Sequence, residues 1–340
     1  MSSEGTSHGP IALGVPVRNE EARLPGLLAA LDNQLAAPPF TLCIVFDNCT
    51  DGSERLVARL AAELRYPIVT QSLRSGHEPN AGAARRHAMA LALKFAKGGS
   101  LLTTDADSQP DPHWIAANLA ALEQADIVAG RIVCDGPDAP LMHHRLSEYY
   151  DRLHAVRRTL DPIVWEAEES HHWTSGASLA CRSQVYLQLG GFAPIANGED
   201  AAFADSAARA GYRVRRDANV VVRTSSRRTG RAERGFAAAL AALDAFPDTL
   251  EVVHPDDEAW RFRMQAQARA VFQSGQSQGL APGLGLAIEE IAQVAGECAN
   301  AEAFAARIVG APPTGMRTVS LAHAEALLAG LDMMTMAGAA

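Results

Sequence analysis

The sequence predicts an α/β fold: a mixed, mostly parallel sheet flanked by helices, with a helical C-terminal extension. Three observations predict it. Short apolar, β-branched runs alternate with 3.6-period helical patterns through the first 135 residues. Polar or acidic residues follow the ends of three successive apolar runs, at what would be one rim of a sheet. From about residue 231 the chain is Ala-rich and helical in pattern, broken by Pro and Gly near 281–285 and 311–315.

The runs IALGVPV (11–17), FTLCIVFD (40–47), PIVTQSL (67–73), SLLTTDAD (100–107) and ADIVAGRIV (125–133) read as strands. Between the first two, Leu24, Leu27, Leu28 and Leu31 share one helical face. Asn19 is the expected N-cap there, with Glu20 and Glu21 in the first turn, where the helix dipole favours anions. Ser53 is expected to cap a second helix carrying Leu56, Leu60 and Leu64. A third runs from Asn80 to Lys97 and ends at Gly98-Gly99, and Pro112 opens a fourth. Residues 138–170 look helical and mixed in charge. A glycine-punctuated segment follows, then a helical stretch, AAFADSAARAG, and a strand-like run, YRVRRDANVVVRTS.

Composition excludes several classes. Thirty Lys and Arg against 39 Asp and Glu give a net charge of -9, which argues against a general nucleic-acid binder. Cys43, Cys49, Cys134, Cys181 and Cys298 are scattered and odd in number, with no Cys-x-x-Cys, as expected of reduced thiols in a cytoplasmic protein. The start MSSEGTSHGP has neither a basic nor an apolar leader region, and no run of about 18 apolar residues occurs. A soluble protein without a transmembrane segment is expected.

Ligands of open α/β sheets bind at the carboxyl ends of the strands. Those ends carry Pro16-Val17-Arg18-Asn19, then Asp47-Asn48-Cys49-Thr50-Asp51, then Asp105-Ala106-Asp107. Two carboxylates one residue apart suit either a capped turn or a site for a divalent cation and phosphate. Arg85, one turn into the third helix, is expected to point a planar guanidinium, which pairs well with phosphate oxygens, at that rim. Glu199 and Asp200 open a helix, where dipole complementarity alone would explain them. Trp173, with Thr174 and Gly176, offers a floor for a sugar or is a half-buried core residue.

Five segments, in order, carry a resemblance: VPVRNEE at 15–21, VFDNCTDGS at 45–53, NAGAARRHAMA at 80–90, DAD at 105–107, and the block from Gly176 through Gly190-Gly191-Phe192 and Glu199-Asp200 to Gly211-Tyr212. Over roughly residues 11–225 the chain resembles the family-2 glycosyltransferases, inverting sugar-nucleotide enzymes with the GT-A fold. The resemblance implies a domain over 1–230; the extension over 231–340 lies outside it, and its Ala-rich amphipathic pattern suits an acceptor cover, oligomerisation with a homodimer as one outcome, docking on a partner, or plain core packing. The resemblance also implies Asp107, with Asp105, as ligands of Mg²⁺ or Mn²⁺. Asp105 would also face the ribose or sugar, Asp47 would accept a hydrogen bond from the nucleobase, and Pro16, Arg18 and Asn19 would meet the nucleoside. Asp200 would be the general base, with Glu199 orienting it, and Trp173, Thr174 and Gly176 would meet sugar or acceptor. The donor would be a UDP- or GDP-sugar and the acceptor is unknown.

One departure stands out. Many relatives carry a metal-binding His after the strand that follows the Glu-Asp helix. This chain has VVVRTSSRRTGR there, and no His until His254. Either His172 or His254 serves instead, or Arg223, Arg227 and Arg228 bind the diphosphate. The five arginines from 223 to 234 also suit a plain solvated surface. Two other readings stay open: a non-catalytic sugar-nucleotide sensor on the same fold, and a nucleotidyltransferase, although VPVRNEE lacks the glycines such a triphosphate loop needs.

Overall fold

The computed structural model describes residues 9–74, 80–134, 141–229, 236–245, 250–276 and 279–338. By their contacts the residues form two units, the first holding 1–138, 167–204 and 214–238, the second 139–166, 205–213 and 239–340.

The first unit begins with β1 (Ile11–Val17), α1 (Leu24–Asp32), β2 (Phe40–Asp47), α2 (Ser53–Leu60), β3 (Ile68–Leu73) and α3 (Ala81–Ala96). It continues through β4 (Ser100–Thr103), β5 (Ser108–Pro110), α4 (Trp114–Leu122) and β6 (Ile127–Cys134). After α5 (Leu141–Leu160) come β7 (Leu179–Arg182), α6 (Ser183–Gln188), α7 (Glu199–Ala210) and β8 (Val214–Thr224). Among the described residues these strands make one eight-stranded sheet, in the order β3-β2-β1-β4-β7-β6-β8-β5. The β1–β2, β2–β3, β1–β4 and β6–β8 pairs are parallel. Insertion of β7 antiparallel between β4 and β6 makes the sheet mixed.

The strands at the centre are near-continuous apolar runs because helices cover both faces. Leu13, Val15, Leu42 and Ile44 are buried with Leu24, Leu27, Leu28 and Leu31 of α1 in one cluster. Helix α3 lies so close to β1 that a Cβ on Gly14 would come within 2.9 Å of the Ala88 backbone. Asn80 caps α3 as expected, its side chain accepting from the Ala83 N–H at 2.8 Å.

Several local expectations change. Asn19 does not cap α1; the N-cap is Arg23, with Pro25 in the first turn. Asn19 takes a left-handed φ of 54°, and its Oδ1 accepts from the Thr50 N–H at 2.7 Å. Serving as a clamp between the β1 and β2 loops takes it out of the helix. Glu20 and Glu21 consequently lie ahead of α1, outside its first turn. Ser53 is the first residue of α2, after an N-cap at Gly52, and its hydroxyl accepts from the Glu20 N–H at 3.0 Å. Helix α4 starts two residues beyond Pro112, behind an N-cap at His113. The run 100–107 also divides: β4 ends at Thr103, Asp105–Asp107 form a turn, and the chain re-enters the sheet as β5 against β8. Helix α5 stops at Leu160, where Pro162 disfavours helical backbone at Asp161; residues 138–140 of that expected helix lie outside the described residues.

The second unit adds α8 (Phe236–Ala245), β9 (Glu251–Val253), α9 (Pro255–Ser274), α10 (Ala281–Leu284), α11 (Ile288–Gly296), α12 (Ala301–Ile308), β10 (Thr318–Ser320) and α13 (Leu321–Gly338). Strands β9 and β10 pair antiparallel, an addition to the expected mostly helical pattern. Tyr149 and Leu153 of α5 pack with Phe262 and Leu328, and Phe304 of α12 packs with Ala268 and Ile291. Buried Asp161 accepts two hydrogen bonds from Arg269 at 2.7 and 2.6 Å. Among the described residues no helix is long and apolar enough to cross a membrane.

Candidate functional site

The carboxyl ends of β1, β2 and β4 open on one cavity of the first unit, about 410 Å³ in volume. Pro16, Arg18, Asp47, Arg85, Asp105, Asp107, Trp173, Thr174, Gly176, Glu199 and Asp200 all line it. Residues more than 180 positions apart thus meet in one place. Asn19 is not in the wall; it braces the loop behind it.

At the β1–β2 rim, Arg18 donates to Asp47 Oδ2 at 3.4 Å, and Asn48 donates to Asp47 Oδ1 at 2.9 Å. Asn48 has a φ of 50°, a conformation Asn tolerates better than most residues. The turn therefore directs the Asp47 carboxylate into the cavity while holding it in place.

The Asp105–Asp107 turn carries two carboxylates with different partners. Asp105 accepts from Arg85 Nη2 at 2.7 Å. Asp107 lies 3.0 Å from Arg227 Nη2, and Arg227 also donates to both Glu20 oxygens, at 2.9 and 2.6 Å. Burial, then the charge of Asp105 and that of Glu20, push the Asp107 carboxyl up to about 6, against the opposing effect of Arg227. A carboxylate destabilised by burial and like charge is one that an added cation favours. Among the described residues, no three His, Cys, Asp or Glu side chains form a ready-made metal cage. Two carboxylates beside open space fit a hard divalent cation that completes its shell with water and phosphate oxygens, as Mg²⁺ commonly does.

Opposite them, α7 begins after Asn197-Gly198, where Gly198 takes a φ of +74° that favours glycine. That turn brings Glu199 and Asp200 to the cavity in succession. Glu199 is buried and accepts from Arg85 Nε at 2.9 Å. The two Asp200 oxygens accept from the Gly176 and Ala201 backbone N–H groups, each at 2.7 Å. Both bonds fix the plane of the carboxylate, and each oxygen keeps a lone pair for a further proton.

Arg85 was expected to reach a diphosphate. Its side chain is 7% exposed, and it donates to Asp105, Glu199, Thr103 Oγ1 and Gly176 O. A guanidinium has five N–H groups, so one at most is left for a phosphate. Trp173 lines the cavity and packs partly on the core, its ring 4.7 Å from that of His172. The half-buried and cavity-wall readings of this residue thus hold together. Thr174 Oγ1 accepts from Arg216 at 3.0 Å. His254, an alternative metal ligand by sequence, caps α9 in the second unit, its Nδ1 accepting from the Asp256 N–H.

Sequence reading missed Thr103 and Glu20. A threonine within a strand carries no signal of its own, and Glu20 passed for a first-turn residue of α1. A second cavity, about 730 Å³, is lined by Arg23, Arg223 and Arg228 and shares Asp107, Thr224, Ser225 and Arg227 with the first. Arg231 and Arg234, the remaining members of that basic run, lie outside the described residues.

A search of curated proteins found no match. Among solved structures, the chain is similar to S. aureus TarS 1-349 in complex with UDP-GlcNAc: 16% identity over 84% of this chain and 78% of that one, at a TM-score of 0.49. It is also similar to the mannosyltransferase PcManGT from Pyrobaculum calidifontis in complex with GDP-Man and Mn²⁺, with 19% identity over 97% and 81% of the two chains at a TM-score of 0.45. The decisive comparison is at the level of the family: residues 13–183, half of the 340-residue chain, match the model described as glycosyl transferase family 2. With its mixed α/β sheet of the GT-A type and its acidic rim, the chain belongs to glycosyl transferase family 2, whose members act on nucleotide sugars.

Proposed function

We infer that this glycosyltransferase inverts the sugar it transfers, moving a hexose from a UDP- or GDP-sugar to an acceptor hydroxyl by direct displacement. The observation that carries the reading is the meeting of Asp47, Asp105, Asp107 and Asp200 around one cavity. Asp47 would accept a hydrogen bond from the nucleobase, between Pro16 and Arg18. Asp107, with Asp105, would hold Mg²⁺ or Mn²⁺, which when bound supplies Lewis-acid stabilisation of the departing diphosphate. Arg227, Arg223 and Arg228 offer guanidinium donors to phosphate oxygens on the same side.

Asp200 would take the proton of the acceptor hydroxyl. Its two backbone N–H bonds fix the plane of the carboxylate and leave lone pairs open for that proton. Glu199, locked by Arg85, would brace the start of α7, and Trp173 with Thr174 and Gly176 would form the surface on which sugar and acceptor meet.

The test is Asp200→Asn. Removing a positioned base should lower turnover by about 10²–10⁴-fold while leaving the affinity for UDP or GDP nearly unchanged. Turnover close to that of the unaltered chain would remove Asp200 from the mechanism. Absence of any sugar-nucleotide turnover in the unaltered chain, with nucleotide still bound, would favour the sensor reading.

A further inference from the structure

We propose that Arg85 is the positioning residue of the transfer site: one buried guanidinium that fixes the Glu199–Asp200 pair relative to the Asp105–Asp107 turn. The proposal rests on the reading of Asp200 as base, and extends it by naming what holds that base in place.

The bonds divide Arg85 among three pieces of chain that are far apart in sequence. Nη2 donates to Asp105 Oδ1 at 2.7 Å, and Nη1 to Thr103 Oγ1 at 3.0 Å. Thr103 passes the restraint on, its hydroxyl donating to Gly14 O of β1 at 2.7 Å. This half of the guanidinium is anchored to the end of β4. The other half reaches Asp200 by two routes. Nε donates to Glu199 at 2.9 Å, which fixes the first residue of α7 next to Asp200. Nη1 also donates to Gly176 O at 2.9 Å, and the N–H of the same Gly176 donates to Asp200 Oδ2 at 2.7 Å. Gly176 is thus held at its carbonyl by Arg85 while its N–H holds the base.

The residue types follow from this. A lysine has no planar fork and cannot serve several acceptors in a fixed plane. Position 176 must be glycine, because a Cβ there would stand 2.4 Å from the guanidinium carbon. Helix α3 delivers Arg85 rigidly: Asn80 caps it, and the Gly82 N–H donates to Ile195 O at 3.0 Å, on the segment leading into α7. With four of five N–H groups used on protein, Arg85 acts on the reaction through Asp105 and Asp200 and not by contact with the donor.

The experiment compares Arg85→Lys, Arg85→Gln, Gly176→Ala and Asp200→Asn in the full chain. Three quantities are read: hydrogen exchange of the residue-176 amide, the Kd of UDP or GDP, and turnover of the matching sugar nucleotide. Arg85→Lys should expose the 176 amide, with protection falling about 10-fold or more through local opening. Turnover should fall about 100-fold, the cost of misplacing a catalytic group by roughly 1 Å, and the nucleotide Kd should change by less than about 3-fold. Gly176→Ala, which keeps the charge and displaces the guanidinium, should lower turnover similarly and serves if the Arg85 variants do not fold. Unchanged protection of the 176 amide in Arg85→Lys overturns the proposal. So does a nucleotide Kd weakened more than about 10-fold with that amide still protected, which would make Arg85 a diphosphate ligand. Asp200→Asn separates the two readings. If it keeps turnover while Arg85→Lys loses amide protection, the base assignment fails and the clamp stands. If it loses turnover while Arg85→Lys changes nothing, the base stands and the clamp fails.

Discussion

Asp107 shows how burial and like charge at a single residue set a pH-dependent stability. Its carboxyl has an ordinary value near 3.8 in an unfolded chain and is pushed up to about 6 in the fold. Below 3.8 both states hold the proton and the group has no effect on stability. As pH rises from there to about 6, the folded state still holds a proton that the unfolded state has lost, so stability falls. Above 6 the full penalty is present, about 3 kcal/mol at this shift. Asp107→Asn should therefore be more stable than the unaltered chain at pH 7.5 without metal, and the difference should vanish near pH 4. Thermal melts of both chains across that range check this; an equal difference at both ends would locate its cause elsewhere. An asparagine can still accept from Arg227, which keeps its two bonds to Glu20.

Helix α3 is the element through which sequence and site are most tightly joined. Asn80 caps it and also donates to Pro194 O at 2.9 Å. Asn80→Ala should cost about 1 kcal/mol, the usual loss for an N-cap. Gly82→Ala should cost more, although alanine is the better helix former by about 1 kcal/mol. The new Cβ would stand 2.3 Å from Ala193 O and 2.6 Å from Ile195 O. Both are backbone atoms with little room to yield, and overpacking of this kind costs about 1–3 kcal/mol. Urea titration of the two variants should rank Gly82→Ala the less stable. The reverse order would mean that the 193–195 segment moves away freely and seats α7 only softly.

For the whole molecule, ligand binding and thiol chemistry give the most direct tests. A nucleotide that binds the folded chain at 100 times its Kd should stabilise it by about 2.7 kcal/mol. A melting panel of UDP, GDP, UDP-glucose and GDP-mannose, with Mn²⁺ or with EDTA, should show one base favoured and a larger shift with metal. An equal shift in EDTA would assign the diphosphate to the arginines alone. Burial pushes the Cys43 and Cys181 thiols up to about 12, while Cys298 alone among the five cysteines is not buried. A thiol reagent should therefore label one cysteine quickly in the native chain and all five in denaturant.

The sequence alone determined the parts of this protein that rest on local chemistry. Apolar β-branched runs specified β1, β2 and β6 because central strands covered by helices on both faces must be apolar throughout; β3, at the edge of the sheet, has no buried residue. Asn80 and Gly98-Gly99 marked the ends of α3 because capping is a contact among neighbours. Every expected site residue but Asn19 lies in the cavity wall, since strand ends of such a sheet face one rim. Tertiary structure decided what depends on partners far along the chain. The run 100–107 breaks at Thr103 because Ser108 pairs with Thr224, 116 residues away. Asn19 leaves its helix because the Thr50 and Asp51 N–H groups need its side-chain oxygen. Arg85 is held by four protein acceptors because β4, Gly176 and α7 converge on it, and only the folded chain brings those acceptors within reach of one guanidinium.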